Sequence, residues 1–233
     1  MKNKLVVVGI GEIAEMAHDY FSYDSDYEVV AFAAEKDYLT KKNVKEVDGL
    51  PVLSIEDMPK KYPADKYLAF VAISYSKLNH DRNRVYTKVK SLGYTMASYV
   101  SSKAFIGRNV EIGDNCFILE NNVLQRNVKI GDNVTLWSGN HIGHRSVIAD
   151  NVFLSSQVVL AGFCHIGKFC FLGVNSCVGD TVTIADNCFI GGGVVIMHDT
   201  KPNEIYRNQL ILPDRLSAEL VFGFRGEKNE MGK

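Results

Sequence analysis

Aliphatic residues recur at an unbroken spacing of six along the second half of this 233-residue chain. A helix repeats every 3.6 residues and a half-buried strand every two, so neither element generates this spacing. A long, exact repeat of this kind is typical of a chain that winds in stacked coils. We therefore predict a β-helix from residue 106 to about residue 201. The sixteen repeat positions are Ile106, Ile112, Ile118, Leu124, Ile130, Leu136, Ile142, Ile148, Leu154, Leu160, Ile166, Leu172, Val178, Ile184, Ile190 and Ile196.

Two further positions of each hexad predict the shape of a coil. The fourth residue after each aliphatic one is Val, Cys, Ser, Thr or Asn, and such small side chains fit inside a narrow prism that larger ones would overpack. The third is Asn in half of the repeats, and Asn tolerates the left-handed backbone of a tight corner. Three sides of six residues return the chain to its start. We expect a triangular prism with eighteen residues per coil.

Composition excludes several classes of partner. The chain has 26 basic and 27 acidic residues, so a nucleic-acid partner has no electrostatic support. No apolar run approaches the ~20 residues of a membrane span, and residues 1–5 lead straight into a strand without a secretory signal, which predicts a cytoplasmic protein. Four of the five cysteines occupy the small inward position of the hexad, so we expect buried, reduced thiols.

The first hundred residues alternate between apolar strand patterns and helix patterns. Strands are predicted over 5–8, 27–33, 67–73 and 95–100, and helices over 12–21 and 78–92. Ser54 is a candidate helix N-cap. Alternation of this kind predicts a small parallel, Rossmann-like α/β sheet.

A glycine turn follows the first predicted strand and opens the first helix. Gly9 and Gly11 lie where backbone N–H groups and a helix N-terminus can bind phosphate oxygens. Glu12 follows the turn, and Glu35 comes after the second strand, where an acidic side chain can bind a ribose hydroxyl. We expect these four residues to bind a nucleotide or nucleotide-linked sugar, although packing between a strand and a helix also requires such turns.

One of the six histidines stands at a position of special interest. His144 is the second residue after its aliphatic position, which is an outer corner of the prism. Gly162 follows eighteen residues later and should lie beside it in the next coil. A missing side chain next to a corner histidine leaves a slot for a thin ligand arm. An imidazole has an ordinary pKa of about 6.5 and can accept a proton at neutral pH.

The hexads resemble those of the hexapeptide-repeat acyltransferases, whose coils wind left-handed. Together with the N-terminal region, the chain resembles the sialic acid O-acetyltransferase and bacillosamine N-acetyltransferase family. That resemblance implies an α/β N-terminal domain that holds a nucleotide-linked sugar, followed by an all-β left-handed parallel β-helix. It also implies a homotrimer with active sites between neighbouring prisms.

The resemblance assigns roles to individual residues. His144 aligns with the family's general base, and the main chain at Gly162 is expected to contact acetyl-CoA, as is Gly192. The family's glutamate before the base is replaced by Gly143, and its second histidine by Phe153, which leaves the acceptor open. His141, three residues before the base, is the candidate to position the base or the acceptor; the alternative is that it only packs at an interface between chains.

These observations predict an acetyl-CoA-dependent acetyltransferase that uses no metal. Its acceptor is an amino or hydroxyl group of a nucleotide-linked sugar in bacterial surface polysaccharide biosynthesis. The domains are predicted at 1–100, 101–201 and 202–233, the last being a tail that covers the final coil. Two alternatives remain: a non-catalytic nucleotide-sugar-binding or scaffold protein, and a zinc enzyme of the carbonic-anhydrase type, which needs three histidines at an intersubunit cleft.

Overall fold

A computed structural model describes residues 3–209, 215–217 and 220–221 of the chain. It begins with a five-stranded sheet in the order β3-β4-β2-β1-β5, parallel except for the β3–β4 pair. The predicted α/β domain is therefore present. Its strands are β1 (Asn3–Val8), β2 (Tyr27–Ala34), β3 (Glu46–Val47), β4 (Leu50–Ser54) and β5 (Leu68–Val71); its helices are α1 (Glu12–Tyr23), α2 (Lys36–Lys42), α3 (Met58–Lys61) and α4 (His80–Ser91).

The predicted cap at Ser54 is confirmed, because its hydroxyl accepts a hydrogen bond from the Asp57 N–H at 3.1 Å. The strand predicted over 95–100 is confirmed in part. Met96 forms a parallel bridge with Ala69 of β5, and the chain then leaves the sheet, so that Tyr99 and Val100 pair with the first coils instead. Strands β3 and β4 were not predicted, because they are short and lack a clear alternation of apolar and polar residues.

The rest of the described chain is a three-sided prism of two-residue parallel strands. Residues eighteen apart pair with one another, as in the column Val123, His141, Val159. The strands are β6 (Tyr99–Val100), β7 (Phe105–Ile106), β8 (Glu111–Ile112), β9 (Phe117–Ile118), β10 (Val123–Leu124), β11 (Lys129–Ile130), β12 (Thr135–Leu136), β13 (His141–Ile142), β14 (Val147–Ile148), β15 (Phe153–Leu154), β16 (Val159–Leu160), β17 (His165–Ile166), β18 (Phe171–Leu172), β19 (Cys177–Val178), β20 (Thr183–Ile184), β21 (Phe189–Ile190), β22 (Val195–Ile196) and β23 (Ile205–Tyr206).

The three sheets of the prism differ in what covers them. The domain face consists of β6, β9, β12, β15, β18, β21 and β23 and packs against the N-terminal domain. The apolar face consists of β7, β10, β13, β16, β19 and β22. The polar face consists of β8, β11, β14, β17 and β20. Along the chain, the domain face is followed by the apolar face and then by the polar face, so each pair of faces shares one ridge.

The hexad positions behave as predicted. The aliphatic residues from Ile118 to Ile196 form one buried core together with small side chains such as Val158 and Cys164. Every sixth residue from Asn109 to Gly193 has a positive φ, which makes each corner left-handed in its backbone conformation. The four inward cysteines are buried and unpaired, and burial raises the pKa of Cys116 and of Cys170 to about 12.

Buried polar contacts fix the N-terminal domain on the domain face. The Asn115 side chain accepts a hydrogen bond from the Val71 N–H at 2.7 Å. Arg82 is 2% exposed and donates to the Thr135 hydroxyl and to the Asn115 carbonyl. Burial lowers the pKa of Arg82 to about 10. Because a buried guanidinium without these acceptors would be costly, they hold α4 in one register on the prism.

Aromatic rings extend this contact toward the later coils. Phe153, Phe171 and Phe189 stack in one column, and Tyr75 lies 5.0 and 4.6 Å from the rings of the first two. His80 stacks on Phe169 with ring centroids 4.1 Å apart. The chain's own N-terminal domain therefore covers part of this outward aromatic column.

The final described strand, β23, pairs with β21 and extends the domain face beyond the last full coil. Part of the tail predicted to cover the final coil, including its apolar residues 210–212, lies outside the described residues. Within the described ranges, no helix is long and apolar enough to cross a membrane.

Candidate functional site

The ridge between the apolar face and the polar face carries the histidine that the sequence singles out. Side chains at the second position after each apolar-face strand stack along it, one per coil. We call it the His144 ridge; its residues are Arg108, Arg126, His144, Gly162, Asp180 and His198.

His144 and Gly162 lie against each other on this ridge. A Cβ atom built on Gly162 would be 2.6 Å from Cε1 and 3.0 Å from Nε2 of the imidazole, and 2.9 Å from Oδ1 of Asp180. Glycine is therefore required here for the ring to occupy its position. The imidazole is exposed to solvent, and both its Nε2 edge and the Asp180 carboxylate lie close to the α-carbon of Gly162.

Gln125, from the preceding coil, holds the other side of the histidine. Its Oε1 accepts a hydrogen bond from the His144 backbone N–H at 2.8 Å and lies 3.3 Å from Nδ1 of the ring. The Phe163 ring meets the imidazole edge to face at 5.0 Å. The hexad pattern does not predict the role of Gln125. Stacking in a coil of eighteen residues relates His144 to Arg126, and Gln125 precedes Arg126 by one position.

Two predicted site residues are not joined to His144 within one chain. His141 lies in the outer row of the apolar face. Among the described residues, the side chain within hydrogen-bonding distance of the His144 imidazole is Gln125. Gly192 stands on a different ridge, between the domain face and the apolar face, where it packs against Val174. Within the described part of one chain, neither His141 nor Gly192 contacts His144 or Gly162.

A cavity of about 660 Å³ opens in the N-terminal domain, at the C-terminal ends of β1, β2 and β5. Parallel α/β sheets bind their ligands at this edge. All four residues predicted to bind a nucleotide-linked sugar lie on its wall: Gly9, Gly11, Glu12 and Glu35.

The two glycines of the turn differ in what requires them. A Cβ on Gly9 would lie 2.3 Å from the Ala72 carbonyl oxygen, and its φ is +147°, so close packing demands glycine there. A Cβ on Gly11 would meet nothing within 4 Å. Gly11 is the N-cap of α1 and makes no side-chain cap, so the first turn of that helix faces the open cavity.

Glu35 pairs with Arg84, a residue that the sequence pattern does not predict at this site. Both of its carboxylate oxygens accept from the Arg84 guanidinium, at 2.6 and 2.7 Å. These hydrogen bonds lower the pKa of Glu35, so the carboxylate stays ionised. Arg84 and Asp81 also line the cavity. The sequence does not identify Arg84 as a site residue, because the residues around it do not show that its side chain reaches Glu35, just after β2.

The cavity and the His144 ridge lie on opposite sides of the prism. The N-terminal domain packs on the domain face, whereas the ridge is formed by the other two faces. A ligand in the cavity of one chain is thus separated from that chain's own imidazole by the hydrophobic core of the prism.

Comparisons with known proteins bear on this arrangement. The sequence model of a family described as the GMPPB C-terminal domain matches residues 97–211. The acetyltransferase domain of PglB from Neisseria gonorrhoeae superposes with a TM-score of 0.76 and 20% identity, covering 88% of this chain and 96% of that one. The chain has the left-handed hexapeptide-repeat β-helix fold.

The same hexapeptide-repeat fold is found with ligands in a second relative. PerB from Caulobacter crescentus, solved in complex with CoA and GDP-perosamine, superposes with a TM-score of 0.75 and 21% identity, over 87% of this chain and 92% of that one. WeeI from Acinetobacter baumannii has a TM-score of 0.54 and 20% identity, over 82% and 94% of the two chains. The likeness extends through both regions of the chain, and the predicted fold is confirmed.

No group of three or more His, Cys, Asp or Glu side chains that could hold a metal occurs in the part of the chain that the structure describes. A zinc site of three histidines is therefore not formed within one described chain.

Proposed function

We propose that this protein is an acetyl-CoA-dependent acetyltransferase whose acceptor is an amino or hydroxyl group of a nucleotide-linked sugar. The observation that carries the proposal is the pairing of a solvent-exposed imidazole with a glycine on a β-helix ridge. The fold relatives solved with CoA, with acetyl coenzyme A and with GDP-perosamine support it. A role in surface polysaccharide biosynthesis stays a prediction from the family resemblance.

His144 is the proposed general base. As the acceptor amine or hydroxyl attacks the thioester carbonyl, Nε2 removes the proton from the attacking atom. The carbon–sulfur bond breaks, coenzyme A leaves as the thiol after protonation by the imidazolium, and no acyl-enzyme forms. The main chain beside Gly162 is the proposed contact of the thioester arm. A backbone N–H there would stabilise the oxyanion.

The N-terminal cavity is the proposed site for the nucleotide part of the acceptor. Its Gly11 turn is open to a ligand that needs close approach to backbone N–H groups. Glu35, whose ionised form is held by Arg84, has lone pairs left to accept from ribose hydroxyls.

The N-terminal cavity and the His144 ridge of one chain lie on opposite sides of its prism, so a sugar bound in the cavity needs the imidazole of a second chain. We therefore propose that the protein is a homotrimer. The outer row of the apolar face includes Phe105, Val159 and Val195, which are 63%, 42% and 61% exposed. The polar face instead carries charged residues such as Lys129, which pairs with Glu111 at 3.0 Å. The apolar face adjoins the His144 ridge, so a neighbour seated on it would bring its own surface to the imidazole. Gly192 of that neighbour is a candidate contact for the coenzyme.

The test measures CoA release by the purified protein with acetyl-CoA and a panel of nucleotide-linked aminosugars and neutral sugars. We expect turnover with at least one acceptor. In His144→Ala, kcat should fall by roughly 10²- to 10⁴-fold, the usual contribution of a general base. The matched control is His165→Ala, which removes an exposed histidine from the polar face and should leave kcat unchanged.

Two results would contradict this function. Full turnover by His144→Ala would remove the imidazole from the mechanism. Tight binding of a nucleotide-linked sugar with no CoA release from any acceptor would instead favour the non-catalytic binding protein.

A further inference from the structure

The neutral side chain of Gln125 contacts both the backbone and the imidazole of His144. Gln125 lies at the first position after β10, one coil before His144, and is half-buried. Its Oε1 atom is 2.8 Å from the backbone nitrogen of His144 and 3.3 Å from ring Nδ1.

The backbone contact fixes which end of the amide faces the histidine. A backbone N–H can only donate, so the Gln125 atom that meets it must be the oxygen. That same oxygen lies beside Nδ1. Two acceptors do not form a hydrogen bond, so Nδ1 must carry a proton when the imidazole is neutral. The lone pair of the neutral ring is then on Nε2, an atom that lies beside Gly162.

We propose that Gln125 is a positioning residue that holds His144 in its Nδ1–H tautomer, with Nε2 free to accept the proton of the sugar acceptor. The inference rests on the proposed acetyltransferase function for its catalytic meaning, but the tautomer itself is a property of the free protein. Gln125 takes the place that a carboxylate holds beside many catalytic histidines. Because the amide is neutral, it orients the ring without the added stabilisation of the imidazolium that a carboxylate provides.

The first experiment reads the tautomer without any substrate. Protein labelled with ¹⁵N in histidine is studied by long-range ¹H–¹⁵N correlation spectroscopy at a pH where the imidazole is neutral, and the His144 signals are assigned by their loss in His144→Ala. We expect a protonated Nδ1 and an unprotonated Nε2 in the native chain. In Gln125→Leu, which lacks the acceptor, the signals should move toward Nε2–H. An unchanged tautomer in that variant would overturn the proposal.

The second experiment uses Gln125→Glu, which keeps an acceptor oxygen for the backbone N–H and adds a negative charge. The carboxylate stabilises the imidazolium, so the acid limb of the pH profile of kcat/KM should move to higher pH. Gln125→Leu should lower kcat/KM by roughly tenfold or more through loss of the correct tautomer. Lys129→Leu, which also replaces a polar side chain with leucine but on the polar face, should do neither.

The outcomes separate this inference from the proposed function. If the native chain acetylates no acceptor but shows the Nδ1–H tautomer that Gln125→Leu abolishes, the function fails and the tautomer assignment stands. If the native chain is active and Gln125→Glu leaves the acid limb unmoved, Gln125 does not act on the base. If Gln125→Leu fails to fold, Gln125→Glu still tests the proposal, because it keeps an acceptor for the backbone N–H of His144.

Discussion

The imidazole of His144 lies directly against the α-carbon of Gly162, where any side chain would displace it. In Gly162→Ala the new methyl group should turn the exposed ring away from the ridge. We expect kcat/KM to fall on the order of 10²-fold, as a displacement of about 1 Å in a catalytic group can produce. Thermal unfolding should change little, because the ring can rotate into solvent. Gly179→Ala is the control, since its Cβ would lie 3.1 Å from the flexible end of Met197 and 3.5 Å, an ordinary contact, from the Ile196 carbonyl oxygen. Equal losses of activity in both variants would contradict this reading.

The two glycines of the N-terminal turn should respond differently to alanine. Gly9→Ala forces a Cβ against the Ala72 carbonyl and should destabilise the fold by roughly 1–3 kcal/mol. Gly11→Ala meets open space and should leave the unfolding temperature unchanged, but it should weaken binding of a nucleotide-linked sugar if that ligand approaches the backbone. Calorimetry and binding titrations on both variants check this. Unaltered ligand affinity in Gly11→Ala would exclude a ligand packed on the turn.

The apolar face should be the surface through which chains associate. Val159→Glu introduces a charge in the middle of its outer row, so the variant should sediment as a smaller species and lose acetyl transfer although His144 is intact. His165→Glu adds the same charge to the polar face and should keep the native mass. If Val159→Glu keeps both its mass and its activity, the active site does not form across this face.

Asp24 should link stability to pH at the junction of the two regions. Its Oδ2 accepts hydrogen bonds from the Ser102 N–H at 3.0 Å and the Tyr99 hydroxyl at 2.7 Å. Hydrogen bonding to the Ser102 side chain, to Tyr99 and to the Ser102 backbone lowers the pKa of Asp24 to about 2. A depressed pKa stabilises the fold above the ordinary value of about 4, and this stabilisation is lost as pH falls toward 2. The unfolding temperature of Asp24→Asn should therefore lie below that of the native chain at pH 7.

The difference in unfolding temperature should narrow between about pH 4 and pH 2, as the native carboxylate is protonated. Asp26→Asn, two residues away, is the control for a nearby loss of charge. A difference that stays constant down to pH 2 would show that the Asp24 carboxylate does not titrate in this window.

The hexad spacing was sufficient to predict the prism, its corners and the contact between His144 and Gly162. In a coil of eighteen residues, side chains one period apart must stack, so the pair follows from counting. Gln125 could not be found in this way, because its contact with His144 joins residues nineteen apart and depends on side-chain direction. The same limit hid Arg84, whose reach to Glu35 depends on how α4 packs against the sheet.

The N-terminal sheet was predicted less completely for a related reason. Each strand of the prism lies in one hexad, and the sixteen hexads repeat the same pattern, which makes the prediction of each strand stronger. Strand β4 occurs once, contains Pro51 and has no second copy to support the pattern. The segment 95–100 has the apolar character of a strand, but which sheet it joins is decided by the need to reach the first coil.

The aromatic column and the buried arginine have a thermodynamic consequence. In most solenoids each repeat touches only its two neighbours, so the ends can fray while the middle stays folded. Here the N-terminal domain bridges from the coil of Asn115, through Arg82, to that of Asn187, through His80. Amide hydrogen exchange along these coils should therefore occur in one cooperative opening shared with the N-terminal sheet, rather than decline gradually from the middle of the stack to its ends.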